Sequence, residues 1–314
     1  MIDSVSDFLT APTLPFAARL TAVLLLAFPP LVQQVEIGSL AALLVRIHRL
    51  VLALAVIFGP VLVHPLLWLV VAVIHFTWLA RAYDIADNHH YLEAYWCTAL
   101  AAALYVGGDA GGSILARNAL LLVGLPFLLS VVWKVVSRTY RNGGFFVFTM
   151  ISDVRLGAFA YIVAGVPAQK IAAYRRAVHN VRSGVSEVEY LDIPPSLRRT
   201  ALLLTWWVVV IETAVGVAFL VPVDELRIWQ LALLLAFALT TYVLVPIATF
   251  SNILLLMLAV ATADPTWRAI ILVTLGFLTV AGVIGDKLSA AYQRIGRKAL
   301  DAKGEPSAVG VTTA

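Results

Sequence analysis

The sequence predicts an all-α, polytopic transmembrane bundle, and three observations carry that prediction. Of the 314 residues, 61% are apolar and 13% charged, with a mean hydropathy of +0.94. A water-soluble chain of this length cannot cover its surface with so few polar groups. Apolar runs close to the roughly 20 residues that cross a bilayer recur along most of the chain, and only helices or closed barrels satisfy their own backbone there. The basic residues also fall together in two polar segments.

Taken in order, the expected spans are 17–33, 48–63, 65–82, 91–107, 115–136, 200–222, 228–263 and 267–285. No basic n-region or cleavage site precedes the first, so it is expected to act as its own insertion signal. Residues 36–47 read as an interfacial helix, because Arg46, His48 and Arg49 interrupt the next apolar run. Residues 143–166 read as a surface-lying or re-entrant segment: Asp153 and Arg155 at mid-membrane would each cost about 2.5–3.5 kcal/mol. The run 228–263 would be about 54 Å long as one helix at 1.5 Å per residue, against a hydrocarbon core of about 30 Å. Pro246, with Thr249, Ser251 and Asn252 after it, is the expected break. About eight to ten passes follow from this reading.

Lys170, Arg175, Arg176, Arg182, Arg198 and Arg199 crowd one polar segment, and Lys287, Arg294, Arg297, Lys298 and Lys303 the other. The positive-inside rule makes both cytoplasmic, as does the splitting of 228–263. Residues 1–285 are therefore expected to form the membrane domain, including a helical cytoplasmic loop at 168–199, and 286–314 a largely disordered cytoplasmic tail. Glu187, Glu189 and Asp192 interrupt the first basic cluster, which argues for headgroup-facing loops and against nucleic acid. The absence of an Asn-X-Ser/Thr sequon is compatible with a bacterial inner membrane. Cys97 is the single cysteine, so it forms no intrachain disulfide and reads as a small buried hydrophobe. The tryptophans fall near span ends, as an aromatic belt would. His48, His64 and His75 read as interface or packing residues, and the glycine-rich 107–112 as a flexible turn without the context of a phosphate loop.

Four polar residues stand out. Asn88 and His89, in the run Asp87-Asn88-His89-His90-Tyr91-Leu92, lie between two apolar runs. Adjacent histidines point about 100° apart on a helix, which disfavours a shared metal ion. That leaves a helix-end cap or a proton-handling role. Lys134, just before Arg138 and Arg141, either snorkels to the interface or acts in low dielectric as a general base. Glu212, about ten residues from either end of its span and too short to snorkel, must be protonated, paired or cavity-lining. Lys134, His89 and Arg227 are its possible partners, and it could serve equally as structural glue or as catalytic tuning.

The run Asn88-His89-His90-Tyr91-Leu92 resembles the Asn-His-x-Tyr-Leu signature of the HTTM family, the membrane domain shared by vitamin K-dependent gamma-carboxylase and many bacterial proteins. Residues 123–134, ending in Lys134, resemble that family's aromatic-rich helix with its terminal lysine, and Glu212 matches an intramembrane glutamate. Residues 243–258 resemble the Gly-x-x-Phe-Pro helix, with Pro246 in place of the common glycine and Ser251 in place of the proline; Phe237-Ala238 stands for a common Phe-His pair. The likeness covers roughly residues 15–285.

That resemblance implies a reduced, vitamin K-like quinone as cofactor and no metal. It implies Lys134 as the base that deprotonates the quinone, with His89 beside it as a catalytic residue, and Asn88, Tyr91 and Glu212 as binding residues. In the family scheme the quinone anion reacts with oxygen, the strong base formed removes a glutamate γ-proton, and carbon dioxide adds. These 314 residues hold no counterpart of the carboxylase's large peptide-binding domain, so a propeptide-bearing protein substrate is not expected. The sequence reading is thus a quinone-dependent carboxylase- or epoxidase-type membrane enzyme with Asn88, His89, Lys134 and Glu212 around one cavity. The alternatives are a non-enzymatic membrane factor that binds lipid, quinone or a partner, and a proton-coupled transporter relaying through Glu212 and His89.

Overall fold

The computed structural model describes residues 4–27, 39–81, 83, 88–153, 156–184, 191–221, 227–242 and 248–301. Among them all regular structure is helical, as expected. The helices are α1 (Val5–Thr10), α2 (Thr13–Ala27), α3 (Ser39–Ile57), α4 (Pro65–Arg81), α5 (Asn88–Val106), α6 (Gly108–Val136) and α7 (Arg138–Arg141). They continue with α8 (Gly144–Ser152), α9 (Gly157–Ala164), α10 (Ala168–Arg182), α11 (Pro195–Leu220), α12 (Arg227–Tyr242), α13 (Ala248–Val260) and α14 (Pro265–Asp301). Asp87, Arg155, Glu187, Glu189 and Pro246 lie outside the described residues.

Among the described residues three helices are long and apolar enough to cross a membrane: α6, α11 and α14 over Pro265–Ile295. Only 33% of the apolar window of α6 and of α11 is buried, so most of each apolar surface faces outward. Outward apolar surface of this extent suits contact with lipid. The expected span 91–107 falls on the 19-residue α5 and 65–82 on the 17-residue α4. Residues 228–263 form α12 and α13 on either side of the five residues around Pro246. Residues 143–166 form α8 and α9, of nine and eight residues, separated at Asp153 and too short to span.

Several expected boundaries are corrected. α3 runs straight through Arg46, His48 and Arg49 and ends at Ile57, with a 3-10 turn over Gly59–Val63. The reason is that His48 points inward while Arg46 and Arg49 are exposed, so one face stays apolar enough to pack. α14 continues to Asp301, past the expected boundary at residue 285. Its C-terminal part is polar on one side and packed on the other, where Tyr292 donates to the Val166 carbonyl at 2.9 Å. The aromatic-belt expectation fails at Trp68 and Trp96, both 0% exposed. Their indole N–H groups are satisfied internally, Trp68 at the Leu62 carbonyl (2.7 Å) and Trp96 at Thr21 Oγ1 (3.0 Å), so these rings are core.

The chain divides into two compact units. The first comprises Met1–Pro126, Gly216–Leu235 and Ile247–Phe277; the second comprises Phe127–Val215, Ala236–Pro246 and Leu278–Ala314. In the first unit α4 and α5 pack along their length, burying Ile74, Trp78, Leu79 and Ala94 with Val45 of α3. Helix ends are closed by specific donors and acceptors. Asp264 Oδ1 accepts from Thr266 and Trp267 N–H (2.8 and 3.1 Å) ahead of Pro265, which satisfies the first turn of α14. Gln230 Nε2 donates to the Ala218 and Val221 carbonyls (2.7 and 3.2 Å) at the end of α11.

The glycine-rich turn is a tight corner. Gly107 (φ 72°) and Gly108 (φ 53°) take left-handed backbone between α5 and α6, which a side chain disfavours. A Cβ on Gly111 would stand 2.2 Å from the Ala103 carbonyl oxygen, a backbone atom that no rotamer change can move aside. Gly111→Val should therefore destabilise the protein by about 3 kcal/mol through forced separation of α5 and α6. Thermal unfolding in detergent checks this, and a variant within about 0.5 kcal/mol of wild type would contradict that close approach.

In the second unit α8, α9, α10 and the start of α11 enclose Met150, Ile151, Phe159, Ile171, Tyr174 and Leu197. The basic helix α10 is tied down on this core. Arg175 Nε donates to the Ile151 carbonyl at 3.0 Å, and the Tyr174 hydroxyl donates to the Asp192 carbonyl.

Candidate functional site

The second unit holds a charged contact between two long apolar helices. Lys134, near the end of α6, and Glu212, on α11, are 9% and 8% exposed. The Lys134 ammonium donates to Glu212 Oε2. Of the three partners the sequence left open for Glu212, the structure selects Lys134. Neither group could be stable alone at this depth, because an unpaired buried charge carries several kcal/mol of desolvation. Lys134 consequently does not snorkel.

Aromatic rings close the other side of the ammonium. Lys134 Nζ lies 5.5 Å from the centroid of Tyr140, within cation–π range. Tyr140 is 2% exposed and stacks on Phe145 at 5.0 Å. Burial, and secondarily the Glu212 carboxylate, push the Tyr140 phenol up from its ordinary value, so it remains a neutral hydroxyl. The local fold sets this arrangement. Ser137 ends α6 and caps α7, its Oγ accepting from the Tyr140 N–H (3.4 Å), which turns the chain back beneath Lys134.

Asn88, His89 and Tyr91 belong to the first unit, on the opening turn of α5. Asn88 is exposed, Tyr91 half-buried and His89 buried. The His89 and His90 rings lie 4.0 Å apart, centroid to centroid, and His90 in turn lies 4.6 Å from Trp78. The two side chains thus converge by their rotamers although their Cβ atoms diverge around the helix. Among the described residues no group of three or more His, Cys, Asp or Glu side chains is arranged to hold a metal ion. Of the four residues expected around one cavity, Lys134 and Glu212 are therefore in contact within one unit, and Asn88 and His89 are neighbours in the other.

Sequence reasoning passed over a second buried polar group in the first unit. His48 and His75 are each 1% exposed, and their Nε2 atoms face one another at 3.3 Å, so one ring donates and the other accepts. On the far side of the second ring, His75 Nδ1 lies 3.9 Å from Glu93 Oε2. Glu93 is 4% exposed. A glutamate between two alanine- and tryptophan-containing apolar stretches, one helical turn after His89, is the signal that could have found it.

No family model matches the chain, and neither a curated protein nor a solved structure does.

Proposed function

We propose that this chain is an HTTM-like integral membrane protein whose Lys134–Glu212 couple handles a proton of a reduced, lipid-soluble, vitamin K-like quinone. The reading places it in a bacterial cytoplasmic membrane, with residues 168–199 and the C-terminal segment on the cytoplasmic side. The observation that carries it is a buried amine–carboxylate couple under an aromatic ring, on helices whose apolar faces point outward. Such a couple fits a weakly acidic hydroxyl presented from the lipid phase. The quinone would supply the redox chemistry of a carboxylase- or epoxidase-type reaction. Glu212, already holding Lys134, accepts a proton through its carboxylate, and the Lys134 ammonium remains to face the negative charge left behind. The pairing thus shifts the base from Lys134 alone to the couple.

A non-enzymatic quinone- or lipid-binding factor is the second reading, favoured by the fact that Lys134 and Glu212 already satisfy one another. One experiment separates the two. The full chain in lipid nanodiscs is given a reduced naphthoquinone with an isoprenoid tail in aerated buffer. On the enzyme reading it accelerates consumption of the quinol, and Lys134→Ala loses about 10²–10⁴-fold while quenching of tryptophan fluorescence still reports binding. Binding by the wild type without consumption selects the factor. Equal turnover by wild type and variant removes the couple from the chemistry.

A further inference from the structure

The His48–His75–Glu93 cluster lies outside the Lys134–Glu212 couple and has a polar opening of its own. Glu93 lines a small cavity in the first unit together with Thr249 and Asn252 of α13 and the apolar side chains of Leu24, Leu25 and Leu256. About 20 Å³ of it is open to the centre of a water molecule, where roughly 10–15 Å³ suffices for one water. It is too small for an organic headgroup. Among the described residues Glu93 Oε2 and both amide atoms of Asn252 have no hydrogen-bond partner, although Asn252 is only 3% exposed. Buried polar groups are nearly always satisfied, so two unpartnered side chains lining one cavity mark a place that takes up a small polar species.

The donor set identifies that species. A metal bridging the two facing Nε2 atoms would need a third ligand on the same side, but Glu93 approaches His75 from the Nδ1 edge. Imidazole can instead accept a proton at one nitrogen and release another from the opposite one. His48, His75 and Glu93 stand in the order that such a transfer requires. We propose that they form a buried proton-exchange path leading to the Asn252 cavity, where Glu93 is the terminal proton-binding group. In one passage His48 Nε2–H gives its proton to His75 Nε2, and His75 Nδ1–H gives its own to Glu93. His48 takes up a proton from water at Nδ1 as its Nε2–H leaves, so both imidazoles stay neutral and change tautomer, and one O–H forms at Glu93. The 3.9 Å interval between His75 Nδ1 and Glu93 Oε2 is closed by a small side-chain rotation or by one bridging water.

Among the described residues the charged and titratable neighbours are few. α3 brings His48, with exposed Arg46 and Arg49 flanking it, and α4 brings His75. α5 carries His90, close enough to interact electrostatically with His75, and Cys97, one turn beyond Glu93. α2 contributes leucines to the cavity, and α13 contributes neutral Thr249 and Asn252.

Infrared difference spectroscopy on the full chain in nanodiscs tests the path. The expected result is a protonated-carboxyl band that disappears in Glu93→Gln and shifts in Asn252→Leu. In His75→Gln the same band persists, but its exchange on transfer to heavy water slows at least tenfold. A purely structural histidine would leave that exchange rate unchanged, which would overturn the path. So would a band untouched by Glu93→Gln, or one displaced by added sodium at constant pH, since that assigns the cavity to a cation. If Glu93→Gln does not fold, the exchange rate in His75→Gln still decides on the native carboxyl.

Discussion

Lys134→Ala is expected to destabilise the protein by about 3–5 kcal/mol, because it strands the Glu212 carboxylate in a site that excludes water. Glu212→Gln is expected to cost less, since the amide oxygen still accepts from the lysine and only the ionic part of the contact is lost. Lys134→Met combined with Glu212→Leu is expected to recover most of the loss, leaving no polar group to desolvate. Two buried charges attract strongly at low dielectric but are also costly to bring there, so the pair taken together contributes little net stability. Removing either partner alone exposes the whole penalty. The measurement is a double-mutant cycle on unfolding in mixed micelles, read as a coupling free energy. A coupling near zero would mean that both groups reach water, and the couple could then not be the protected acid–base pair proposed above.

What the sequence made legible follows the physics of single segments. The expected break within 228–263 rests on chain length and bilayer thickness, which conflict there without reference to any partner, and it falls on residues outside the described ones. The all-helical class was visible for the same reason: a chain so apolar must satisfy its backbone internally. Glu212 could be flagged as a group needing a partner, but its distance of 78 residues from Lys134 left three candidates that no local rule ranks. His48 and His75 are the packing residues the sequence suggested, but their pairing was hidden in a related way. Each is unremarkable on its own helix, and they become a pair only when α3 and α4 pack and turn both rings inward. Trp68 and Trp96 fooled the aromatic-belt argument because position along a span does not distinguish the headgroup level from the interior of a bundle. α3 was misplaced because arginines were counted by position, whereas a helix sorts them by face.

Arg268→Ala should loosen the N-terminal helix more than it weakens the fold as a whole. Arg268 is 1% exposed and acts as a clasp within the first unit. Its Nε donates to the Thr262 carbonyl at 3.0 Å, and its Nη1 donates to the carbonyls of Leu9 and Ala11 at 2.9 and 2.7 Å. The guanidinium also lies 4.1 Å from the centroid of Phe16. α1 has six residues and buries none of them, far fewer than a helix needs to persist by itself. Besides the Phe8–Phe16 ring contact at 5.0 Å, the Leu9 and Ala11 carbonyls at its C-terminal end are held by this one side chain. Charged hydrogen bonds of this kind contribute about 1.5–3 kcal/mol each, but they are not additive and the freed carbonyls at residues 9 and 11 can meet solvent. A global loss of about 2–4 kcal/mol is therefore expected, alongside a larger local one. Limited proteolysis should show cleavage within residues 4–12 rising at least tenfold in Arg268→Ala, ahead of any cut in α4 or α5. Arg268→Lys should behave nearly as badly, because a single ammonium cannot span three carbonyls and cover the ring as the planar fork does. Equal cleavage in wild type and both variants would show that α1 is held by something other than Arg268.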